Sequence, residues 1–307
     1  MRPLVLNAWT KAVGSTSIVC FESTAPPSEV RVSRTEGLPN GDYRLRVCLE
    51  GLETAMAPDE IIVADGVIRT LTVRDFKPAT ADLTLEFRVE PSSVNVLPGL
   101  PWVTEVAIPR NSLTQVFGGR VVAVDPGHGG RDRGVRGPVN LLEKNVALDI
   151  AKELKSILGT SGATVVLSRD SDRDVSLRDW TSALLAARPD ILVEIHASSE
   201  ADPMARSYHV FARRDSGESR LAAREIASAL TERMGIVFAS IEERDFPAIP
   251  HWPAVRVEPV CLTHFVDEAN FRAPLFRKRI AQSISNGLSR YFRTLDAGGA
   301  ERDQRVG

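Results

Sequence analysis

Residues 121–130 have the sequence Val121-Val122-Ala123-Val124-Asp125-Pro126-Gly127-His128-Gly129-Gly130, an apolar run that leads directly into a glycine-rich loop. A short continuous run of valine and alanine is typical of a strand that is buried on both faces, as in a parallel sheet. The glycines around His128 indicate a loop whose backbone comes close to a metal or a substrate, because glycine has no Cβ atom. Ligands of open α/β sheets bind in this position, at the carboxyl end of a strand.

Strands and helices alternate downstream of this loop. We predict strands at residues 121–124, 163–167, 191–193, 208–211 and 254–257, and helices at 142–157, from 176, at 221–234 and at 275–292. This alternation requires crossover connections between strands. It predicts an α/β domain with a mostly parallel sheet and helices on both faces.

The first 110 residues show a different pattern, with apolar and polar residues alternating at 43–49 and 83–89. Period-2 alternation predicts strands with one buried face, and the turn signals at 39–42 and 65–66 separate such strands. We therefore expect a small antiparallel β-sandwich of about six to eight short strands. The predicted domains are 1–115 and 116–295, followed by a disordered tail at 296–307.

Composition limits the classes of function. The chain has 307 residues, 43% of them hydrophobic, which is enough for two globular domains. Its 38 basic and 40 acidic side chains give a net charge of −2, so nothing favours a nucleic acid partner. No apolar run predicts a transmembrane segment, and residues 1–7 lack the apolar stretch of an export signal. Two alternatives stay open: an intracellular protein, or the mature form of an exported one.

The three cysteines, Cys20, Cys48 and Cys261, are too few for a disulfide framework and have no metal-binding spacing. Cys20 and Cys48 lie in the same half of the chain and would be able to pair in an oxidising compartment. The simpler interpretation is three semi-buried thiols.

Residues that bind metals or transfer protons follow several predicted strands. His128 follows the first strand, Glu194 and His196 the third, and Glu258 ends the strand at 254–257, while Glu143 begins the first helix. We expect them on one edge of the sheet. Two imidazoles and a carboxylate with an open fourth position form the ligand set of a catalytic zinc hydrolase. A further carboxylate there is able to transfer protons, although Glu143 taken alone is most simply a favourable charge for the helix dipole.

The motif at residues 124–132, Val-Asp-Pro-Gly-His-Gly-Gly-Arg-Asp, followed by Glu143-Lys144, resembles the signature of zinc-dependent N-acetylmuramoyl-L-alanine amidases of the amidase type 3 family. Residues 195–197, 253–258 and the closing helix continue the resemblance. It implies a Zn²⁺ ion bound by His128, Glu143 and His196, with Glu258 as the catalytic carboxylate. The implied reaction is hydrolysis of the amide between N-acetylmuramic acid and L-alanine in peptidoglycan.

The N-terminal half is similar to the AMIN-type β domain, at residues 68–71, 76–78 and the strand from 83. The role implied for such a domain is to hold the enzyme on peptidoglycan, often at the division site. Together the two resemblances imply a periplasmic or cell-envelope location, a role in cell-wall remodelling and daughter-cell separation, and an activator protein of the envelope as a possible partner.

The chain departs from the family pattern around the expected site. The residues after Glu258 are Pro259-Val260-Cys261 instead of a Gly-Phe pair, and Glu194 stands where serine is common. Glu194 either orients His196 or is a buried acid paired with an arginine. These departures leave two alternative functions open, a slow amidase-like protein that binds peptidoglycan and a zinc amidase acting on a different muropeptide amide.

The other histidines suggest weaker hypotheses. His251 precedes the strand at 254–257 and is a candidate for the substrate groove, and His264 is a candidate for the mouth of the site. His209 lies within a predicted strand, where packing is the simpler interpretation. Residues 241–245 are expected to form an acidic loop, short enough to leave the site open to substrate unless one of its glutamates reaches the metal.

Overall fold

The computed structural model describes residues 3–13, 16–38, 43–56, 60–63, 67–77, 80–87, 95–98, 102–109, 112–238, 241–247 and 252–304. The chain divides into two compact units, Met1–Gln115 and Val116–Gly307. The predicted turns at 39–42 and 65–66 lie outside the described residues. No helix of the described part is both long and apolar enough to cross a membrane.

The described part of the first unit is all β, as predicted. Its strands are β1 (Leu4–Val13), β2 (Thr16–Ser23), β3 (Glu29–Val32), β4 (Glu36–Gly37), β5 (Tyr43–Glu50), β6 (Glu53–Thr54), β7 (Glu60–Ile62), β8 (Ile68–Lys77), β9 (Thr80–Phe87), β10 (Asn95–Pro98) and β11 (Val103–Pro109). They form two sheets, in the orders β10-β11-β2-β1-β6 and β3-β5-β9-β8-β7, with β4 paired to β5.

The period-2 pattern sets which residues of these sheets are buried. In β5, Leu45, Val47 and Leu49 are buried and Arg46 is exposed. The expected six to eight strands were too few, because two-residue strands such as β4 and β6 are too short to show an alternation. The unit is also not purely antiparallel, since β6 pairs with β1 in parallel. Cys20 and Cys48 lie on strands of different sheets, and neither they nor Cys261 form a disulfide.

The second unit is the expected α/β domain. Its elements are α1 (Ser112–Phe117), β12 (Val121–Pro126), α2 (Glu143–Thr160), β13 (Thr164–Leu167), α3 (Leu177–Ala187), β14 (Ile191–Ile195), β15 (His209–Arg213), α4 (Gly217–Met234), β16 (Ile241–Arg244), β17 (Ala254–Glu258), α5 (Phe265–Arg272) and α6 (Pro274–Gln304). The sheet has the order β13-β12-β14-β17-β15-β16. Strands β13, β12, β14 and β17 are parallel, and β15 is antiparallel to β17.

Helices cover both faces of this sheet. Trp180 and Leu184 of α3 pack against Ala123 and Leu192 of the strands. Helix α6 contacts α2 and α4, which themselves contact the strands. Because neighbouring residues of a strand face opposite sides, Val122 and Val124 lie on the face away from Ala123, and both are fully buried.

Two expectations about secondary structure differ from the observed elements. Helix α6 continues through Gln304, into the range 296–307 that the sequence predicts to be disordered. Each residue added to an existing helix forms one further hydrogen bond, and the unfavourable first turn is already in place. A helix therefore extends more easily than it begins. Residues 241–244 are not a loop but strand β16, which pairs in parallel with β15. Its charged residues suit a strand at the edge of a sheet.

Candidate metal centre and active site

Residues that lie side by side on β12, β14 and β17 form rows across the sheet. Three such rows follow one another toward the carboxyl ends of these strands. The first row is apolar, with Leu192 between Ala123 and Ala254. The second row is charged, with Glu194 between Asp125 and Arg256. Two residues further along these strands come Gly127, His196 and Glu258, on the same face by period-2 alternation. The face therefore changes from hydrophobic core to charged layer to candidate site.

His128, Glu143 and His196 form a compact cluster at this edge. Glu143 Oε2 lies 3.0 Å from His128 Nε2, and Glu143 Oε1 lies 2.9 Å from His196 Nδ1. The ligand atoms of the three residues all lie within 4.8 Å of one another, close enough to share one metal ion. Two imidazole nitrogens and a carboxylate oxygen are the donor set that catalytic zinc sites use, so the residues present fit this ion.

The glycines of the loop are required by close contacts with the cluster. A Cβ atom on Gly127 would lie 2.3 Å from His196 Cε1, and one on Gly134 would lie 2.5 Å from His128 Cδ2. His128 itself has a φ angle of 63°, in the left-handed region. Its Nδ1 lies 2.8 Å from Asp132 Oδ2, which fixes the orientation of the ring and directs Nε2 toward Glu143.

Charge and burial shift the pKa values of the cluster. The hydrogen bond to Glu143 raises the pKa of His128 to about 8, against the effect of burial, and Asp132 adds to it. Burial lowers the pKa of His196. Burial would raise the pKa of Glu143, but hydrogen bonds from both histidines and from the amides of Ala197 and Val135 hold it far below its usual range. Glu143 is therefore an anion, ready to bind a cation.

Glu258 lies in the same cavity as the cluster, a space of about 470 Å³ that also has His209 and Arg256 in its lining. Burial raises the pKa of Glu258, and the charge of Arg256 opposes that shift. A carboxylate of raised pKa beside a candidate metal centre is suited to accept a proton and to donate it again.

Glu194 is paired with an arginine. It is 7% exposed, and both Nε and Nη2 of Arg256 lie 2.8 Å from its Oε2. Of the two alternatives left open for Glu194, the geometry is that of the buried acid, and its bonding partner is Arg256 rather than His196. Glu194 still lies beside the cluster, because it lines a smaller cavity of about 280 Å³ together with His128 and His196.

Residues that follow β13 were missed by the sequence analysis. Arg169 is 1% exposed and donates hydrogen bonds to the carbonyl oxygens of Pro126, Gly127 and Lys144. It thereby fixes the glycine loop and the start of α2. Ser168 donates to Asp125, whose pKa burial raises to about 6. The signal was available, because both residues follow a parallel strand as His128 does.

The remaining candidates lie elsewhere. His264 is buried at the start of α5, where Arg206 Nε lies 3.1 Å from its Nδ1, and it is absent from the described lining of the cavity. His251 lies outside the described residues. Glu243 pairs with Arg220, and Glu242 pairs with His209. Neither glutamate belongs to the cluster of potential metal ligands.

Known proteins resemble about three fifths of the chain. The N-acetylmuramoyl-L-alanine amidase LytC of Bacillus subtilis is 30% identical over 187 residues, 60% of this chain and 38% of that protein. The probable cell wall amidase LytH of Staphylococcus epidermidis is 30% identical over 197 residues, 62% of this chain and 65% of that protein. This chain thus spans less than two thirds of the length of either relative.

A solved structure and a family profile agree with these relatives. The N-acetylmuramoyl-L-alanine amidase AmiC2 of Nostoc punctiforme is 28% identical, with a TM-score of 0.53, over 58% of this chain and 99% of that chain. The profile of the family described as N-acetylmuramoyl-L-alanine amidase matches residues 122–290, which include His128, Glu143, His196 and Glu258. The chain therefore belongs to the N-acetylmuramoyl-L-alanine amidase family Amidase_3.

Proposed function

We propose that the chain is a zinc-dependent amidase that hydrolyses the bond between N-acetylmuramic acid and L-alanine in peptidoglycan. The observation that carries this proposal is the cluster of His128, Glu143 and His196 in one cavity with Glu258. All four residues lie in the part of the chain that matches the family. The proposed setting is the cell envelope, in remodelling and the separation of daughter cells, with the N-terminal β unit as an AMIN-like anchor on peptidoglycan.

In this proposal His128, Glu143 and His196 hold the ion. When bound, zinc polarises a carbonyl group and lowers the pKa of water to about 7. Glu258 accepts the proton of the attacking water and then donates it to the leaving nitrogen of L-alanine. Its buried position supports this role, because burial raises the pKa of the carboxyl group toward the range in which both transfers are possible.

Two supporting residues keep the ligands in place. Asp132 accepts the Nδ1 proton of His128, and Arg169 holds the backbone of the loop at Gly127. The charged pair of Glu194 and Arg256 lies one row below His196 and Glu258. This pair is the observation that favours the second candidate function, an amidase acting on a different muropeptide amide. Both residues line a cavity together with His128 and His196, where their charges would select the substrate. An envelope activator protein stays a prediction.

The identity of the cleaved bond tests the proposal. Purified sacculi are digested with the protein, and the products are identified by mass spectrometry. We expect peptides with a free L-alanine amino group and glycan with a free lactyl carboxylate. Cleavage at another amide would support the second candidate function instead. A Glu258→Gln variant, which keeps all three proposed ligands, is the matched control and should lose about 100-fold to 10,000-fold in rate with unchanged metal content.

A further inference from the structure

His209 lines the cavity that contains Glu258. It is the first residue of β15, whereas the other site residues stand at or after the carboxyl ends of their strands. The neighbouring strands β12, β14, β17 and β15 bring His128, His196, Glu258 and His209 to one edge of the sheet in that order. Because β15 is antiparallel to β17, its amino end lies where the other strands have their carboxyl ends. His209 is the register partner of Glu258, so their side chains are neighbours on one face.

Two contacts fix the His209 ring. Its Nδ1 lies 3.0 Å from Glu242 Oε1, on the edge strand β16. The ring stacks on Phe211, with the centroids 5.7 Å apart and an angle of 17° between the planes. A carboxylate at Nδ1 selects the tautomer of an imidazole and orients it. His209 belongs to the described lining of the cavity and Glu242 does not. Because Glu242 occupies Nδ1, Nε2 is the nitrogen that remains for a ligand.

The order of residues along the edge indicates which part of a substrate His209 meets. In the proposed reaction Glu258 gives a proton to the leaving nitrogen, so it lies next to the leaving group. His209 lies beyond Glu258, on the side away from His128 and His196. A side chain in that position faces the peptide released by hydrolysis rather than the sugar.

We propose that His209 hydrogen-bonds through Nε2 to the peptide part of the substrate, and that Glu242 is a positioning residue that acts through His209. This inference rests on the proposed function and names the part of the site that recognises the peptide. His209 is then a substrate-binding residue. The contact with Glu242 holds the imidazole ring in one orientation, so that its hydrogen bond to the peptide has a fixed direction.

The kinetic test uses a soluble muropeptide of one N-acetylmuramic acid and its stem peptide, with the variants His209→Phe and Glu242→Gln and the double variant. We expect His209→Phe to raise KM about five- to ten-fold with kcat within about two-fold, as for a lost binding contact. Glu242→Gln should give a smaller rise, and the double variant should match His209→Phe alone. The control is Glu243→Gln, on the same strand as Glu242, which breaks the ion pair with Arg220 of α4 and should leave both constants unchanged.

A measurement on metal-free protein separates this inference from the proposed function. The imidazole nitrogens are observed by NMR, and the His209 signal is identified by its loss in His209→Phe. Addition of millimolar L-alanyl-D-isoglutamine should shift the His209 Nε2 signal, whereas N-acetylmuramic acid should not, and Glu242→Gln should change its tautomer before any ligand is added. A His209 signal that is unmoved by the peptide, or moved by the sugar instead, overturns the inference. A wild-type protein that does not hydrolyse the muropeptide contradicts only the proposed function.

Discussion

Glu143 Oε1 and His196 Nδ1 lie 2.9 Å apart, although 53 residues separate the two in sequence. The same carboxylate oxygen accepts a hydrogen bond from the amide of Ala197. Glu143 is only 2% exposed, so this anion joins the first turn of α2 to the end of β14. The candidate metal centre therefore depends on how two distant parts of the chain pack against each other.

Asp132→Asn should weaken metal binding by about 10- to 100-fold, because Asp132 holds the His128 ring through Nδ1 and the amide would hold it less firmly. The measurement is a competition titration of zinc against a chromophoric chelator. Asp170→Asn is the matched control, since the side chain of Asp170 contacts only Ser171 among the described hydrogen bonds. Equal zinc affinity in Asp132→Asn and wild type would remove the role assigned to Asp132.

Gly127→Ala should reduce zinc content sharply in a folded protein. The added Cβ would lie 2.3 Å from His196 Cε1, so the ring or the loop has to move. Gly159→Ala adds the same methyl group within α2, where nothing lies within 4 Å, and should keep full zinc content. Metal analysis of both purified variants decides the matter, and full occupancy in Gly127→Ala would mean that the loop adapts without cost to the site.

Removing one charge of the pair formed by Glu194 and Arg256 should lower the free energy of unfolding more than removing both charges. Arg256→Met leaves Glu194 as a buried anion without its partner, at a cost of about 3 kcal/mol in the free energy of unfolding. The double variant with Glu194→Met should recover most of this loss. Urea unfolding of the metal-free proteins measures both, and a double variant that is as unstable as the single one would contradict the account of this pair.

The stability of the metal-free protein should fall as the pH rises from 6.5 to above 8. The pKa of His128 is raised from 6.5 to about 8, so the folded state binds this proton more tightly than the unfolded chain does. The resulting stabilisation is complete below pH 6.5 and is lost through pH 8, a change of about 2 kcal/mol. The lowered pKa of His196 affects the free energy of unfolding only below pH 6.5, where the unfolded chain takes up that proton more readily than the folded state. Urea unfolding at pH 6.5 and 8.5 should show the loss in wild type and not in His128→Asn.

Much of the architecture and of the candidate site could be predicted from local patterns. The valine run before Asp125 and the helical spacing from Glu143 onward give the strands and helices that set the sheet edge. Parallel strands bring their carboxyl ends together, which is why His128, His196 and Glu258 were expected to meet and do lie around one cavity.

The features that were missed depend on pairing between distant segments. Strand β16 has no alternation, and its position follows only from its register with β15. His209 lies at the site because β15 runs antiparallel, so it stands at the start of its strand, whereas the other site residues stand at or after the end of theirs. The position of Arg169 after β13 is visible in the sequence, but its hydrogen bonds to the carbonyl oxygens of Pro126 and Gly127 form only where the loop packs against it.

Zinc titration of the metal-free protein tests the central claim most directly. Protein stripped of metal by a chelator is titrated with zinc while release of peptide from sacculi is followed. The account predicts no hydrolysis before zinc is added, full recovery at one equivalent, and neither zinc binding nor hydrolysis in Glu143→Gln. Hydrolysis by the metal-free protein at the rate of the zinc-loaded one, or full activity in Glu143→Gln, would contradict a metal centre built on His128, Glu143 and His196.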